Sequence, residues 1–135
     1  MAKYIQTNLR YQKIMEEGTA KKVSEQYLVR AELCSEAEKR VSQEMKPLIS
    51  GDFQVSAVSE TKILKVVRNN GGNKFWKVKV AIEDIDTEKL SSELYLVEAD
   101  DCESAIANFK DAVEMGMGTW YFSSISETKI LDVYE

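Results

Sequence analysis

Six consecutive letters, Ser59-Glu60-Thr61-Lys62-Ile63-Leu64, recur unchanged as Ser126-Glu127-Thr128-Lys129-Ile130-Leu131, 67 residues further along a chain of 135. Tyr27-Leu28-Val29 returns as Tyr95-Leu96-Val97, Ala31 matches Ala99, and Cys34 matches Cys102. The matches keep their order, at an offset of 68 before the second helical pattern and 67 after it, so a single deletion reconciles them. The chain reads as one unit written twice, and that constrains architecture more than any composition does.

Each copy follows the plan strand, strand, helix, strand. Ile5, Thr7, Leu9 and Tyr11 alternate with the period of a half-buried strand. Glu16-Glu17-Gly18-Thr19 supplies the turn, and a return strand runs from about Lys22 to Ala31. Ser35-Glu36-Ala37-Glu38 has capping-box form, and Ala37, Val41, Met45 and Leu48 share a helical face that Pro47 brings to an end. Phe53, Val55 and Ala57 open the next strand. The second copy repeats the plan with Trp76, Val78, Val80 and Ile82, a return strand through Tyr95 and Val97, and capping-box spacing at Asp100 and Glu103. A stripe of Ala105, Ile106, Phe109, Ala112 and Val113 then ends at Gly116 and Gly118, and Trp120 and Phe122 replace Phe53 and Val55. No Gly or Pro marks a tight turn in Ser-Glu-Thr-Lys, which predicts a bulge within a long strand.

The expected fold is therefore α+β: a single domain over 1–135, made of repeats at about 4–67 and 75–134 joined by a short 68–74 linker. Two helices pack on one antiparallel sheet with an approximate two-fold axis between copies. Repeats of this size are marginal alone, so one fused core is expected, with Leu28, Val41, Phe53 and Val55 inside and Leu96, Phe109, Trp120 and Phe122 in the corresponding places. No apolar run approaches the ~20 residues that span a bilayer, and the first residues alternate instead of forming a signal stretch. The two cysteines stand at matching positions before the helices, as free thiols in a reducing cytoplasm.

The formal charge of −5 hides a polarity. Residues 1–75 hold 13 Lys/Arg against 9 Asp/Glu, whereas residues 76–135 hold 5 against 14. Solvated faces that drifted apart would give this pattern. So would an anion-binding first half, or a contact between the basic half of one chain and the acidic half of another, which favours a homodimer.

Catalytic equipment is sparse. The chain has no histidine, which removes the commonest general base near neutral pH and the commonest zinc ligand. Two cysteines without a second ligand pair make no structural zinc site, Asn70-Gly71-Gly72-Asn73-Lys74 lacks phosphate-loop spacing, and Glu83, Asp84 and Asp86 read as a solvated turn without a calcium-loop pattern. No metal, cofactor or enzymatic activity is expected. Two sets of residues are candidates for binding. Lys62 and Lys129, beside the Thr61 and Thr128 hydroxyls, would give two equivalent anion sites, unless the repeated letters only satisfy the same backbone kink twice. Arg10, Lys13, Lys21, Lys22 and Arg30, with Lys65 and Arg68, form a possible basic face, and Tyr11 or Tyr27 could stack bases.

Arg10-Tyr11, Lys21-Lys22-Val23-Ser24-Glu25 running into Tyr27-Leu28-Val29, Ser35-Glu36-Ala37-Glu38, Ile49-Ser50-Gly51-Asp52-Phe53 and the ending Glu127 to Tyr134 together resemble a small uncharacterised family of Bacteroides-type bacteria and their phages. The resemblance transfers no catalytic residue. It implies a cytoplasmic, phage- or mobile-element-linked accessory that binds a protein partner or a small nucleotide-like anion stoichiometrically, for example in host-defence inhibition. The alternatives are a single-stranded nucleic-acid binder and a structural or assembly subunit.

Overall fold

The computed structural model describes residues 2–49, 51–69, 72–115 and 119–135. In chain order the elements are β1 (Lys3–Ile14), β2 (Ala20–Ala31), α1 (Cys34–Met45), β3 (Phe53–Glu60), β4 (Ile63–Val67), β5 (Lys74–Glu83), β6 (Leu90–Ala99), α2 (Cys102–Ala112), β7 (Thr119–Glu127) and β8 (Ile130–Tyr134). The strands form two four-stranded sheets, ordered β3-β1-β2-β8 and β4-β6-β5-β7. The expected single antiparallel sheet is thus corrected to two mixed ones, each with one parallel pair at its edge, β2 with β8 and β4 with β6.

Two compact units follow from these sheets. Unit 1 is Met1–Thr61 with Lys129–Glu135, and unit 2 is Lys62–Thr128. Their boundaries differ from those of the sequence repeats, because the last strand of each repeat belongs to the other repeat's sheet. The pairing registers nevertheless correspond position for position. β1 bulges against β3 at Asn8/Leu9 and β5 against β7 at Lys79/Val80. β2 shifts against β8 at Gln26/Tyr27 and β4 against β6 at Ile63/Lys65.

The expected bulge inside one long strand at Ser59–Lys62 is not what forms. The strand ends at Glu60, and after Thr61 and Lys62 the chain resumes as β4 in the other sheet. Thr61 holds this break by donating both its backbone N–H (3.1 Å) and its Oγ1 hydroxyl (2.7 Å) to the carbonyl of Tyr4. Thr128 repeats the arrangement on the carbonyl of Phe75, at 3.0 and 2.8 Å. Tyr4 and Phe75 lie on the inner strands β1 and β5, and the doubled donation satisfies their carbonyls where the ladder with β3 or β7 ends. Replacing Thr128 by Val keeps the shape and removes the hydroxyl, so a loss of about 1 kcal/mol is expected in urea denaturation, as for a typical intramolecular hydrogen bond.

In unit 1, α1 lays Ala37, Val41 and Met45 on Ile5, Leu9, Tyr27 and Val29, with Phe53 and Val55 partly buried at the margin. In unit 2, α2 lays Ala105 and Phe109 on Val78, Val80, Tyr95 and Val97, with Trp120 and Phe122 partly buried. Leu28 and Leu96 are fully buried, as expected, whereas Leu48 is exposed and leaves the helix face assigned to it. The helix starts also differ. α1 begins after Leu33 without a side-chain cap, and Glu36 instead accepts from the Glu32 N–H. α2 is capped by Asp101, one residue beyond the expected Asp100, through a 2.7 Å bond from the Ser104 N–H. α1 stops at Met45, where Pro47 lies two residues ahead, and α2 stops at Ala112. Gly116 and Gly118, and Asn70 and Gly71 of the linker, lie outside the described residues.

Two buried tyrosines share one local design. Tyr27 donates to Glu25 and Tyr95 to Glu93, each two residues back along the same strand. Burial, reinforced by the Glu93 carboxylate, pushes the Tyr95 phenol from an ordinary value of 10.0 up to about 12. A raised value in the folded state means that this contribution is complete below about pH 10 and is lost as pH climbs through about 12. Tyr95→Phe is therefore expected to flatten the alkaline fall in stability across that window, measured as denaturation midpoints at stepped pH. Among the described residues no helix is long and apolar enough to cross a membrane.

Candidate functional site

The open end of unit 1's sheet carries a groove of about 850 Å³, lined by Arg10, Tyr11 and Gln12 of β1, Lys22 and Ser24 of β2, and Phe53 and Gln54 of β3, with Gly51 and Asp52. Strand register explains the gathering. Arg10 pairs with Ser24 on one side and Gln54 on the other, Gln12 pairs with Lys22, and Lys13 stands directly opposite Lys21. Because side chains alternate along each strand, Arg10, Gln12, Lys22, Ser24 and Gln54 project from the face opposite to the one that α1 covers. Tyr11 and Phe53 project toward the helix side, and their partly exposed rings close the groove's end.

A second groove of about 410 Å³ adjoins the first across Gly51, Asp52 and Phe53, with Lys39, Ser42, Gln43 and Lys46 from α1 and its C-terminal end. Gly51 makes the loop between the grooves possible, since its φ of +100° is one that side chains resist. The two linings together hold four cations, Arg10, Lys22, Lys39 and Lys46, and one carboxylate, Asp52. None of the four takes part in an ion pair among the described residues, whereas Lys3 is held by Glu60 and Lys74 by Glu127. Lys13 and Lys21, directly opposite each other, project with Tyr11 to the other side of the sheet and line neither groove.

At the matching register positions of unit 2 stand Ala81 for Arg10, Leu90 for Lys22, Ala107 for Lys39 and Glu114 for Lys46. No cation of unit 1's grooves has a counterpart there. Lys62, Lys65, Arg68 and Lys74, counted in the basic half of the sequence, belong to unit 2, so the charge polarity read from the sequence does not carry over to the two units, and the difference between them is local to these positions. The hairpin of unit 2 uses its carboxylates differently: Asp84 accepts from the Asp86 and Thr87 N–H groups at 2.8 and 3.2 Å, which shapes the turn.

Of the residues singled out from the sequence, Arg10, Lys13, Lys21 and Lys22 all fall at this end of the sheet, but only Arg10 and Lys22 share the groove face, and Lys13 and Lys21 project from the other side. Arg30 does not fall at this end. It pairs with Tyr4 at the other end of β1 and β2 and lies over that ring, 5.8 Å from its centroid. Lys65 is a residue of unit 2, where its Nζ reaches the Ala112 carbonyl at 3.3 Å. Lys62 and Lys129 are exposed and line neither groove, and the neighbouring Thr61 and Thr128 hydroxyls donate to backbone carbonyls. Lys39 and Lys46 escaped the sequence reading, although with Ser42 and Gln43 they follow the three-and-four spacing of one helix face.

Neither the curated proteins nor the solved structures contain a match to this chain. A family model does match, over residues 3–135. The chain accordingly belongs to the family described as a domain of unknown function, DUF4494.

Proposed function

We propose that this protein acts by stoichiometric binding and not by catalysis, and that the ligand is a small nucleotide-like anion held in the grooves of unit 1. The observation that carries this reading is the asymmetry between units: Arg10, Lys22, Lys39 and Lys46 line the grooves, and every one is replaced by Ala81, Leu90, Ala107 and Glu114 at corresponding positions. If one ancestral unit was written twice, as the recurring letters and matching registers support, the first copy has acquired or kept an anion site on a scaffold that the second uses without one. Guanidinium and ammonium groups serve phosphate oxygens directly, and Gln12, Ser24 and Gln54 add neutral hydrogen-bonding groups beside them. Sequestration of such a ligand in the cytoplasm, as in host-defence inhibition, is one setting in which binding without turnover suffices.

A second reading, a short single strand of nucleic acid, is favoured by Tyr11 and Phe53, which are register partners at the groove's margin and offer ring faces to a base. Isothermal calorimetry of the whole chain against mononucleotides, dinucleotides, cyclic oligonucleotides and short single strands tests both readings. One site per chain is expected, weakening as salt rises, because exposed charges are screened beyond about 8 Å at physiological ionic strength. Affinity that grows with strand length favours the second reading. No heat with any of the probes overturns both.

A further inference from the structure

The letters that recur most faithfully along this chain fall on one structural feature. Tyr27-Leu28-Val29 and Tyr95-Leu96-Val97 lie on the outer sides of β2 and β6, where the parallel edge strands add. Ser-Glu-Thr-Lys-Ile-Leu covers the end of β3 or β7, the two-residue break, and the start of β4 or β8. The donor strands also share a pattern, Ile63-Leu64-Lys65-Val66 and Ile130-Leu131-Asp132-Val133, whose Ile and Val are buried in both cases. Acceptor, hinge and donor have stayed alike while the cations and the core aromatics diverged.

Geometry forbids either donor from completing its own repeat's sheet. In unit 1, β3 is at one edge and the position beside β2 is at the other, three strand spacings away, about 14 Å. Only Thr61 and Lys62 separate β3 from β4, and three Cα steps span at most about 11 Å. β3 is also parallel to β2, so a strand beside β2 parallel to both would need a long crossover. Folding back as a hairpin on β3 would require Thr-Lys in a two-residue turn, where positive φ favours Gly or Asn. The same reasoning holds for β7 and β8 across Thr128 and Lys129. β8 must therefore leave the sheet that β7 ends and enter a β2 edge elsewhere.

We propose that the β2 edge of unit 1 is a strand-acceptor site whose ligand is an extended Ile-Leu-x-Val segment, and that a second copy of this chain supplies it by exchanging β8. The acceptor is specified. Ile130 and Val133 are buried beside β2, Tyr134 stacks on Tyr27 with centroids 5.8 Å apart, and its hydroxyl lies 3.6 Å from the Met45 sulfur. Arg40 donates to the Glu135 carbonyl, and the Tyr4 hydroxyl to the Glu135 carboxylate. A β8 from another copy makes every one of these contacts. Only the hinge and the effective concentration differ, so exchange rises with chain concentration.

The full-length chain tests this with Gln26→Cys and Ile130→Cys, which are register partners across β2 and β8, in a background of Cys34→Ser and Cys102→Ser. Equal amounts of unlabelled and ¹⁵N-labelled chains are unfolded, refolded together over a range of concentrations and oxidised. The expected result is a two-chain disulfide-linked species containing one labelled and one unlabelled chain, whose share grows with concentration. The unsubstituted chain, co-refolded in the same way and weighed by native mass spectrometry, serves as the control for cysteine effects and is expected to give a mixed two-chain species. Single chains alone at every concentration overturn the proposal. So does a two-chain species in which the disulfide between positions 26 and 130 always closes within one chain.

Discussion

Phe109→Ala is expected to destabilise unit 2 by about 3–5 kcal/mol, the range of large-to-small changes in a packed core. Phe109 is fully buried, and its ring meets three others edge-on: Tyr95 at 5.0 Å, Phe122 at 5.5 Å and Trp120 at 6.4 Å between centroids. Such contacts add to the burial of the ring itself. Truncation leaves a void bounded by rigid rings on strands β6 and β7, which cannot collapse into it as flexible side chains would. Val41 is the corresponding residue of α1, so unit 1 meets the same demand with a smaller group and fewer aromatics. Chemical denaturation followed by tryptophan fluorescence reports on the change directly, since Trp120 adjoins the site and Trp76 packs against the same cluster. An unshifted midpoint would remove Phe109 from the centre of this packing.

Arg10→Glu combined with Lys22→Glu is expected to weaken anion binding by at least ~100-fold, because each charge-assisted contact contributes about 1.5–3 kcal/mol and both are replaced by repulsion. Stability should hold, since both side chains are exposed and substitutions at such positions seldom change it by more than about 0.5 kcal/mol. The same reversal at Lys62 and Lys129 is the informative control. Those ammonium groups stand outside the grooves, so affinity should not change. Calorimetry on the unsubstituted chain and the two double variants, with circular dichroism to verify folding, separates the two candidate sites. A loss confined to the Lys62 and Lys129 variant would return the site to the repeated motif.

Much of the local structure was legible in the letters. Alternation along Ile5 to Tyr11 and Trp76 to Ile82 located the first strand of each copy, and Gly18, with φ of +84°, marked the first hairpin turn. Pro47 and the spacing of Ala37, Val41 and Met45 placed α1 to within a few residues, because these signals depend on neighbours along the chain. Caps were less legible: Asp100 and Asp101 are adjacent carboxylates, and only the geometry at Ser104 selects between them. Arg10, Lys13, Lys21 and Lys22 were recoverable as a basic group because a hairpin brings residues on either side of its turn together. Lys39 and Lys46 stand on α1, over the opposite face of the sheet, and their groove meets the first only across Gly51, Asp52 and Phe53, which no local signal in the letters shows.

By itself, then, the amino-acid sequence determined the recurring letters, the order of elements around them, the alternating faces that α1 and α2 cover, and the unequal charge of the two halves. Each of these follows from local periodicity or from composition. Only the tertiary structure decided where β4 and β8 go, and with them the division into two mixed sheets. A two-residue link says that a strand cannot return to its own sheet's far edge, but the acceptor it reaches lies far away in sequence: Ile130 meets Gln26 and Val133 meets Leu28. Parallel pairing across such a separation depends on which edge remains open once the antiparallel hairpins have formed. That is a property of the assembled sheets, and no window of the chain contains it.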